Sequence, residues 1–245
     1  MEEQLEFYRE NGYLVVPDAL STEQVRTINE CIDRDLVENR SFWYEKDKDR
    51  TLVNVHILLA QPEMDITMRP PALLPWMEAI MGSELCAEEH SVRIRYPNPD
   101  GPVECHWHRD SSRPDSDVPF HTRYLSIVFY LTDVDETTHT FSVLPRSAQS
   151  DALGSLDDYD LSKAHHIVGP AGTAILFNAV MFHAGNHRQT TSERRTIHIY
   201  CGRRTDRYLS NYTIFPRRLW QGQDEATQKY YGRPNPVTQL MLQKF

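Results

Sequence analysis

The second half of the chain reads as a series of short strands separated by turns, and this pattern constrains the fold more than any other feature. The candidate strands cover residues 90–96, 104–109, 122–131, 140–144, 164–168, 172–177 and 194–202. Many short strands at fairly even spacing are typical of a β-sandwich or barrel. Residues 124–131 also alternate, with Ser126, Val128 and Tyr130 on one face and Leu125, Ile127 and Phe129 on the other.

Helical patterns dominate the first 83 residues. Residues 2–10 read as a helix, residues 13–16 as a short strand, and Ser21 as the N-cap of a helix with an apolar stripe. Residues 51–59 read as a strand, and a helix beginning at Pro70-Pro71 closes at Gly82. We therefore predict a mainly β (α+β) fold, a double-stranded β-helix (cupin-like jelly roll) with flanking N-terminal helices and a pocket between its sheets.

The chain shows no internal repeat and no linker rich in proline, glycine or serine. We expect one domain spanning residues 1–245, with a helical support at 1–83, a jelly-roll core at 84–203 and a tail at 204–245. The tail is aromatic and polar, and we expect it to wrap the barrel or its mouth.

The charge balance argues against nucleic acid as a partner. Against 35 acidic residues stand 26 basic ones, a net charge of −9, and no run of lysine or arginine could follow a phosphate backbone. No apolar run has the length of a membrane span, and the acidic N-terminus does not read as a signal peptide. The four scattered cysteines fit reduced thiols. We expect a cytoplasmic protein without membrane contact, and the sequence gives no indication of its oligomeric state.

The most informative stretch for chemistry is residues 105–110, CHWHRD. In a strand, His108 and Asp110 would point the same way, about 7 Å apart. With a later histidine they would form the 2-His-1-carboxylate set that holds non-haem iron. An H-x-D tripeptide alone is common by chance, but His183 follows a turn and a buried strand at residues 171–178. We predict His108, Asp110 and His183 as the metal ligands and catalytic residues.

Arg194 lies eleven residues after His183 and opens another strand. An arginine can donate two parallel hydrogen bonds to a carboxylate. Three protein ligands leave three positions on iron, two for an α-keto acid and one for dioxygen. Because 2-oxoglutarate has a distal carboxylate in addition to its α-keto acid, we predict Arg194 as its binding residue. The predicted cofactors are Fe(II), 2-oxoglutarate and O2.

These motifs, taken in order, resemble the phytanoyl-CoA dioxygenase family. The resemblance is carried by FYRENGYLVVPDALSTEQV at the start, by WHRD at 107–110, by YLSIVFYLTDVD with the later FSVLPRSAQ, and by GPAGTAILFNAVMFHAGN, which ends just past His183. Arg194 stands where the family has its 2-oxoglutarate arginine. The resemblance implies the jelly-roll fold, the iron and 2-oxoglutarate cofactors, and the same three ligands. Three positions depart from the family pattern: Arg146 replaces the usual Gly, Gly185 a frequent Ser, and Arg188 a frequent Asn. The departures leave open which further groups hold the co-substrate.

Other side chains admit two interpretations. Arg93 and Arg95 share one face of a strand, which is either solvated or in contact with the co-substrate or a substrate anion; we include Arg93 as a co-substrate residue. His106 is interpreted as a wall of the pocket or a group behind the ligands, His165 and His166 as a loop or strand pair, and His198 as packing. Aromatic residues near predicted loops are core or lid residues, of which one or two would line a substrate pocket: Trp43, Tyr44, Phe120, Tyr212 and Trp220.

The sequence thus predicts an Fe(II)/2-oxoglutarate-dependent dioxygenase that hydroxylates or oxidatively cyclises a small molecule. We expect a natural-product tailoring enzyme, with sugar-containing scaffolds included. Acyl-CoA or amino-acid hydroxylation is the alternative within the family, and a catalytically inactive jelly-roll binding protein is the alternative outside it. A halogenase would need alanine or glycine in place of Asp110.

Overall fold

The structure, a computed structural model, describes residues 1–46, 50–111, 122–149, 154–210, 212–232 and 234–244. Phe120 lies outside the described residues. The helices are α1 Glu2–Asn11, α2 Thr22–Glu38, α3 Ile57–Ala60, α4 Leu74–Met81, α5 Glu225–Tyr230 and α6 Pro236–Lys244. The strands are β1 Tyr13–Val16, β2 Tyr44–Lys46, β3 Thr51–Asn54, β4 Leu85–Arg95, β5 Leu125–Tyr130, β6 Thr140–Val143, β7 His165–Ile167, β8 Ala174–Asn178, β9 His183–Asn186 and β10 Arg194–Arg203.

The strands form two antiparallel sheets. The large sheet has seven strands in the order β1-β8-β5-β10-β4-β3-β2, and the small sheet has three in the order β7-β6-β9. Every strand pair in both sheets is antiparallel. Of the eight strand pairs in the described residues, five join strands that are not consecutive in sequence, which is the pattern of a jelly roll. The predicted fold class is confirmed.

The large sheet is covered on both faces, and β5 shows why. Leu125, Ile127 and Phe129 pack with the helices in one apolar cluster. Val128 and Tyr130 point the other way, into a second cluster between the two sheets. Because both faces are buried, alternation on β5 separates two environments rather than core from solvent. The alternation predicted from sequence is confirmed.

The N-terminal helices begin and end where their sequences predict. The Ser21 side chain accepts a hydrogen bond from the Gln24 backbone, and the Gln24 side chain accepts one from the Ser21 backbone, which completes a capping box. Helix α1 ends at Gly12, whose φ of 83° is in the left-handed region. These local signals fix helix ends without help from the rest of the chain.

Two of the predicted strands are wrong in part. The strand predicted for 51–59 stops at Asn54, because the Asn54 side chain accepts a hydrogen bond from the His56 backbone and turns the chain into α3. The segment predicted as a strand at 104–109 has one isolated bridge, His108 to His183, and a second bridge, Val103 to His187, lies just before it. The structure also contains elements that the sequence did not predict: strands β2 and β9 and the helices of the tail.

The tail packs against the helical side of the molecule. Phe215, Leu219, Tyr230 and Tyr231 join the same apolar cluster as the N-terminal helices. The backbone amides of Leu209 and Ser210 donate to the buried Glu88 carboxylate. Leu209, Ser210 and Tyr212 of the tail also line a cavity that reaches Asp110. Within the described ranges, no helix is both long enough and apolar enough to cross a bilayer.

Candidate metal centre

The three predicted ligands come from two segments that bridge to one another. His108 and His183 exchange both backbone hydrogen bonds, each 3.0 Å long. The Asp110 amide donates to the Ala179 carbonyl at 2.9 Å, which holds the next turn in place. These backbone hydrogen bonds bring His108 and Asp110, which lie in a loop, close to His183, the first residue of β9.

The side chains of these residues converge. One ligand atom from each of His108, Asp110 and His183 lies within 4.8 Å of the others. His108 Nε2 is 3.7 Å from Asp110 Oδ1, and His183 Nε2 is 3.5 Å from Asp110 Oδ2. Among the residues that the structure describes, this is the group of three that could hold a metal ion.

Backbone carbonyls orient both imidazoles. His108 Nδ1 lies 3.0 Å from the His106 carbonyl, and His183 Nδ1 lies 3.1 Å from the Met181 carbonyl. An Nδ1–H that donates to a carbonyl leaves Nε2 as the lone-pair nitrogen. Both Nε2 atoms face Asp110, so the orientation suits metal coordination.

The protonation states also suit a metal. Burial is the main cause that lowers the pKa of His108, and the nearby His183 adds to it, so His108 is neutral at pH 7. Burial by itself would raise the pKa of Asp110, but His183, His108 and Arg93 outweigh it and lower that pKa to about 2. Ser126 also donates to Asp110 Oδ2 at 3.3 Å. Two imidazole nitrogens and one ionised carboxylate fit the ligand set of non-haem Fe(II).

Arg194 is a buried cation with unused hydrogen-bond donors. Its residue is 5% exposed, and its Nε and Nη1 atoms have no hydrogen-bond partner among the described residues. A buried charge without a partner is costly, which is why such groups are normally paired. The guanidinium therefore fits a carboxylate ligand that approaches through the cavity.

That cavity connects Arg194 to the candidate ligands. It has a volume of about 360 Å³ and is lined by His108, His183 and Arg194, with Phe141, Thr196 and Tyr200 on its walls. On β10, residues 194, 196, 198 and 200 point into it in the alternation of a strand. Arg195 points to the opposite face, where it forms ion pairs with Asp33 and Glu193, each 2.7 Å long.

Arg93 and Arg95 both line this cavity rather than a solvated face. Arg93 hydrogen-bonds to Tyr200 and lies close to Glu89 and Asp110. The interpretation of these arginines as solvated is wrong, because β4 is an interior strand of the large sheet and this face turns toward the small one.

Gly185 makes room for Arg95. A Cβ at position 185 would come within 3.2 Å of Arg95 Nη2 and 3.6 Å of Arg95 Cζ. A serine at this position would thus be a tight fit beside the guanidinium, which would have to shift by a few tenths of an ångström. This gives the departure at Gly185 a physical meaning, although the sequence shows no link between positions 95 and 185.

The remaining histidines divide between the cavity and the surface. His106 stacks on His108, with ring centroids 5.6 Å apart, and lines the cavity as expected. His198 also lines it, so packing alone does not describe this residue. Burial, together with Arg93 and Arg194, lowers the pKa of His198 well below its usual range. His165 and His166 lie on β7, where they contact Tyr13 and Ser142.

Sequence reasoning missed several residues of this region. Glu89 and Tyr200 point toward the metal ligands from β4 and β10, and Lys46 reaches the same space from β2. Tyr44, one of the aromatic residues considered for a substrate pocket, lies beside Lys46. Strand alternation could have identified Glu89 and Tyr200. Glu89 lies four residues before Arg93 and Tyr200 lies six residues after Arg194, so each pair shares one face of its strand.

Comparisons with known proteins agree with this geometry. A family model described as Phytanoyl-CoA dioxygenase matches residues 8–196. No curated protein matches the chain. HygX from Streptomyces hygroscopicus, solved with nickel, 2-oxoglutarate and hygromycin B bound, superposes with a TM-score of 0.68 at 15% identity, over 85% of this chain and 89% of HygX.

Two further structures come from nogalamycin biosynthesis. The non-heme alpha ketoglutarate dependent epimerase SnoN has a TM-score of 0.67 at 19% identity, over 82% of this chain and 80% of its own. The carbocyclase SnoK has a TM-score of 0.63 at 18% identity, over 83% and 84%. At these identities the structural likeness establishes the fold.

Proposed function

The chain belongs to the phytanoyl-CoA dioxygenase family, and from this premise we propose that it is an Fe(II)- and 2-oxoglutarate-dependent dioxygenase. Its substrate is a small molecule, which it hydroxylates or oxidatively cyclises in the tailoring of a natural product. Sugar-containing scaffolds are included in this class.

One observation carries the proposal: the convergence of His108, Asp110 and His183 at one end of a cavity that also receives the unpaired Arg194 guanidinium. A metal set alone would also fit a simple metal-binding protein. A buried guanidinium with unused donors in the same cavity indicates that the site binds an acidic ligand in addition to the metal. 2-Oxoglutarate meets that requirement, since it is a dicarboxylate with a chelating α-keto acid.

Each residue has a defined task in this proposal. His108, Asp110 and His183 hold the metal, Arg194 binds the distal carboxylate, and Arg93 provides a second cation beside Asp110. With Fe(II) and 2-oxoglutarate bound, dioxygen would be the oxidant: 2-oxoglutarate would be converted to succinate and carbon dioxide, and the oxidising power so generated would remove a hydrogen atom from a substrate carbon. Phe141 and Phe177 pack on the His183 ring, with centroids 5.6 and 4.7 Å away, and shield that side of the centre from water.

The reaction class draws support from the structural neighbours. HygX was crystallised with hygromycin B, and SnoN with Fe3+, alpha ketoglutarate and nogalamycin RO. SnoK is a carbocyclase of the same biosynthesis as SnoN. The nogalamycin enzymes belong to a biosynthesis and HygX binds hygromycin B, which favours the tailoring reaction over acyl-CoA or amino-acid hydroxylation.

The test is succinate formation from 2-oxoglutarate in the presence of Fe(II) and air, with panels of glycosides, polyketides, acyl-CoAs and amino acids. We expect stimulation by a glycoside or polyketide and no turnover by His183→Ala, which also loses metal uptake. Stimulation by acyl-CoAs or amino acids alone would select the alternative substrates. Full turnover by His183→Ala would refute the ligand set, and specific binding without any succinate would favour the inactive binding protein.

A further inference from the structure

A second cavity reaches the candidate metal centre from the side of Asp110. It has a volume of about 210 Å³ and is defined here by Tyr44, Lys46, Glu89, Arg93, Ser210 and Tyr212; we call it the Glu89 recess. Asp110 lines this recess, whereas His108, His183 and Arg194 line the larger cavity. Lys46, Arg93 and Tyr200 line both. If the larger cavity takes the co-substrate, the recess offers an approach to the centre from the side of Asp110.

The charges in the recess balance. Two cations, Lys46 and Arg93, face two carboxylates, Glu89 and Asp110. Serine hydroxyls at 91 and 210 and the phenol of Tyr200 add neutral donors and acceptors. Aliphatic lining is limited to Val53, Val55 and Leu209. An alkyl chain would have to strip water from these charged groups without replacing its hydrogen bonds, which is unfavourable.

Glu89 is the buried carboxylate of the recess with a partner from the tail. It is 6% exposed, and Ser210 from the tail donates to its Oε2. Burial is the main cause that raises the pKa of Glu89, while Ser210, Arg93 and Lys46 act against it. Carboxylates accept several hydrogen bonds at once, so Glu89 can accept from two neighbouring hydroxyls.

Two tyrosines with exposed rings stand at the opening. Tyr44 on β2 is 45% exposed and Tyr212 in the tail is 65% exposed, and the two phenols are close enough to influence each other electrostatically. An exposed aromatic ring offers a flat apolar face, which suits the C–H face of a saturated ring. A carboxylate at the base and aromatic faces at the rim together suit a ring with hydroxyls on its edge.

We propose that the Glu89 recess binds a polyhydroxylated ring of the substrate, a sugar or cyclitol, through hydrogen bonds from its vicinal hydroxyls to Glu89 and stacking on Tyr44 and Tyr212. This inference rests on the proposed function, since it assumes that the larger cavity takes 2-oxoglutarate. It assigns a chemical class to the substrate. It also gives Glu89 a role in specificity, because the recess has no apolar channel for an acyl chain.

The experiment uses the full chain loaded with Ni(II) and 2-oxoglutarate, and saturation-transfer NMR with methyl β-glucopyranoside, myo-inositol and palmitoyl-CoA as probes. We expect transfer to at least one hydroxylated probe and none to palmitoyl-CoA. Glu89→Gln should weaken that binding at least tenfold. The matched control is Glu45→Gln, on the same strand as Tyr44 and Lys46 but outside the recess lining. Thermal melting of each variant checks that it is folded, and Tyr212→Ala provides a second variant at the exposed rim.

Binding of palmitoyl-CoA that depends on Glu89 or Tyr212, absence of binding by both hydroxylated probes, or binding that neither substitution weakens would each overturn the inference. Calorimetry with 2-oxoglutarate on the nickel protein tests the proposed function separately. A protein that binds 2-oxoglutarate but fails the probe test keeps its proposed function and loses this inference. A protein that fails the calorimetry loses the proposed function itself.

Discussion

Two adjacent arginines on β10 have opposite environments, and the difference predicts opposite effects of substitution. Arg194 points into the cavity with unused donors, while Arg195 forms ion pairs with Asp33 and Glu193 on the other face. Alternation along a strand places consecutive residues on opposite faces, and the structure has this register, with residues 194, 196, 198 and 200 lining the cavity.

We predict that Arg194→Lys weakens 2-oxoglutarate binding about 10- to 100-fold. Lysine keeps the charge but loses the planar pair of donors, and a hydrogen bond to a charged group is worth about 1.5–3 kcal/mol. Calorimetric titration of 2-oxoglutarate into the nickel-loaded protein measures the change. Arg195→Ala is the control and should bind normally. A larger loss in Arg195→Ala than in Arg194→Lys would mean that the register is wrong by one residue.

At the scale of elements, Arg109 joins the loop of the ligand pair to the segment that precedes β9. Its guanidinium donates to the carbonyls of Ser147, at 2.7 Å, and Val180, and it lies 3.8 Å from the centroid of the Phe182 ring. Arg109 stands between His108 and Asp110 in sequence and points away from them. It therefore positions both ligands relative to His183.

We predict that Arg109→Lys lowers Ni(II) affinity ~10-fold, the lower end of the effect of groups that orient metal ligands. A lysine cannot reach the same carbonyls together and cannot stack as a flat cation. The measurement is a competitive Ni(II) titration, with Arg146→Lys, at an exposed ion pair with Glu10, as the control. Unchanged Ni(II) affinity in folded Arg109→Lys would contradict the positioning role.

Helix α2 is attached to the large sheet through a buried carboxylate. Asp35, 1% exposed, accepts hydrogen bonds from Asn39, Trp43 and Asn54 at 2.8 Å and from Gln61 at 3.2 Å. These donors come from four places along the first 61 residues. The network links α2, β3 and the turn after α3.

We predict that Asp35→Ala destabilises the fold by about 2–4 kcal/mol, because a buried donor left without a partner costs about 1–3 kcal/mol. Denaturant unfolding followed by circular dichroism gives the free energy. Asp33→Ala on the same helix removes an aspartate that is 61% exposed, and it should cost under about 1 kcal/mol. Equal effects of the two substitutions would show that the network does not stabilise the fold.

For the whole molecule, the fold and the centre are coupled through ligand binding. His108 and Asp110 belong to a loop, while His183 begins a strand of the small sheet, so a ligand held by all three stabilises their common arrangement. A ligand at a hundred times its Kd adds about 2.7 kcal/mol of stability when only the folded state binds it.

We predict that Ni(II) with 2-oxoglutarate raises the melting temperature by about 5–10 °C, since 1 kcal/mol shifts a chain of this length by about 2–4 °C. A chelator should reverse the shift, and His183→Ala should not show it. Differential scanning fluorimetry makes the measurement. If neither ligand changes the melting temperature of the wild-type protein, the proposed metal centre is contradicted.

Local patterns in the sequence determined much of this protein. The capping box at Ser21, the alternation on β5 and the i, i+2 spacing of His108 and Asp110 depend on neighbours within a few residues, so a sequence displays them directly. The same holds for the opposite faces of Arg194 and Arg195. The three proposed metal ligands and the arginine could thus be predicted as a set, and family motifs gave their order.

Only the tertiary structure decided what surrounds them. The segment at 104–109 positions His108 without being a regular strand, because the bridge from His108 to His183 of β9 holds it in place. Arg95 occupies the space beside Gly185, and the Glu89 recess forms only when the tail places Ser210 against β4, 121 residues away in sequence. Contacts between such distant residues depend on how sheets and tail pack, and packing is a property of the folded chain that local periodicity does not encode.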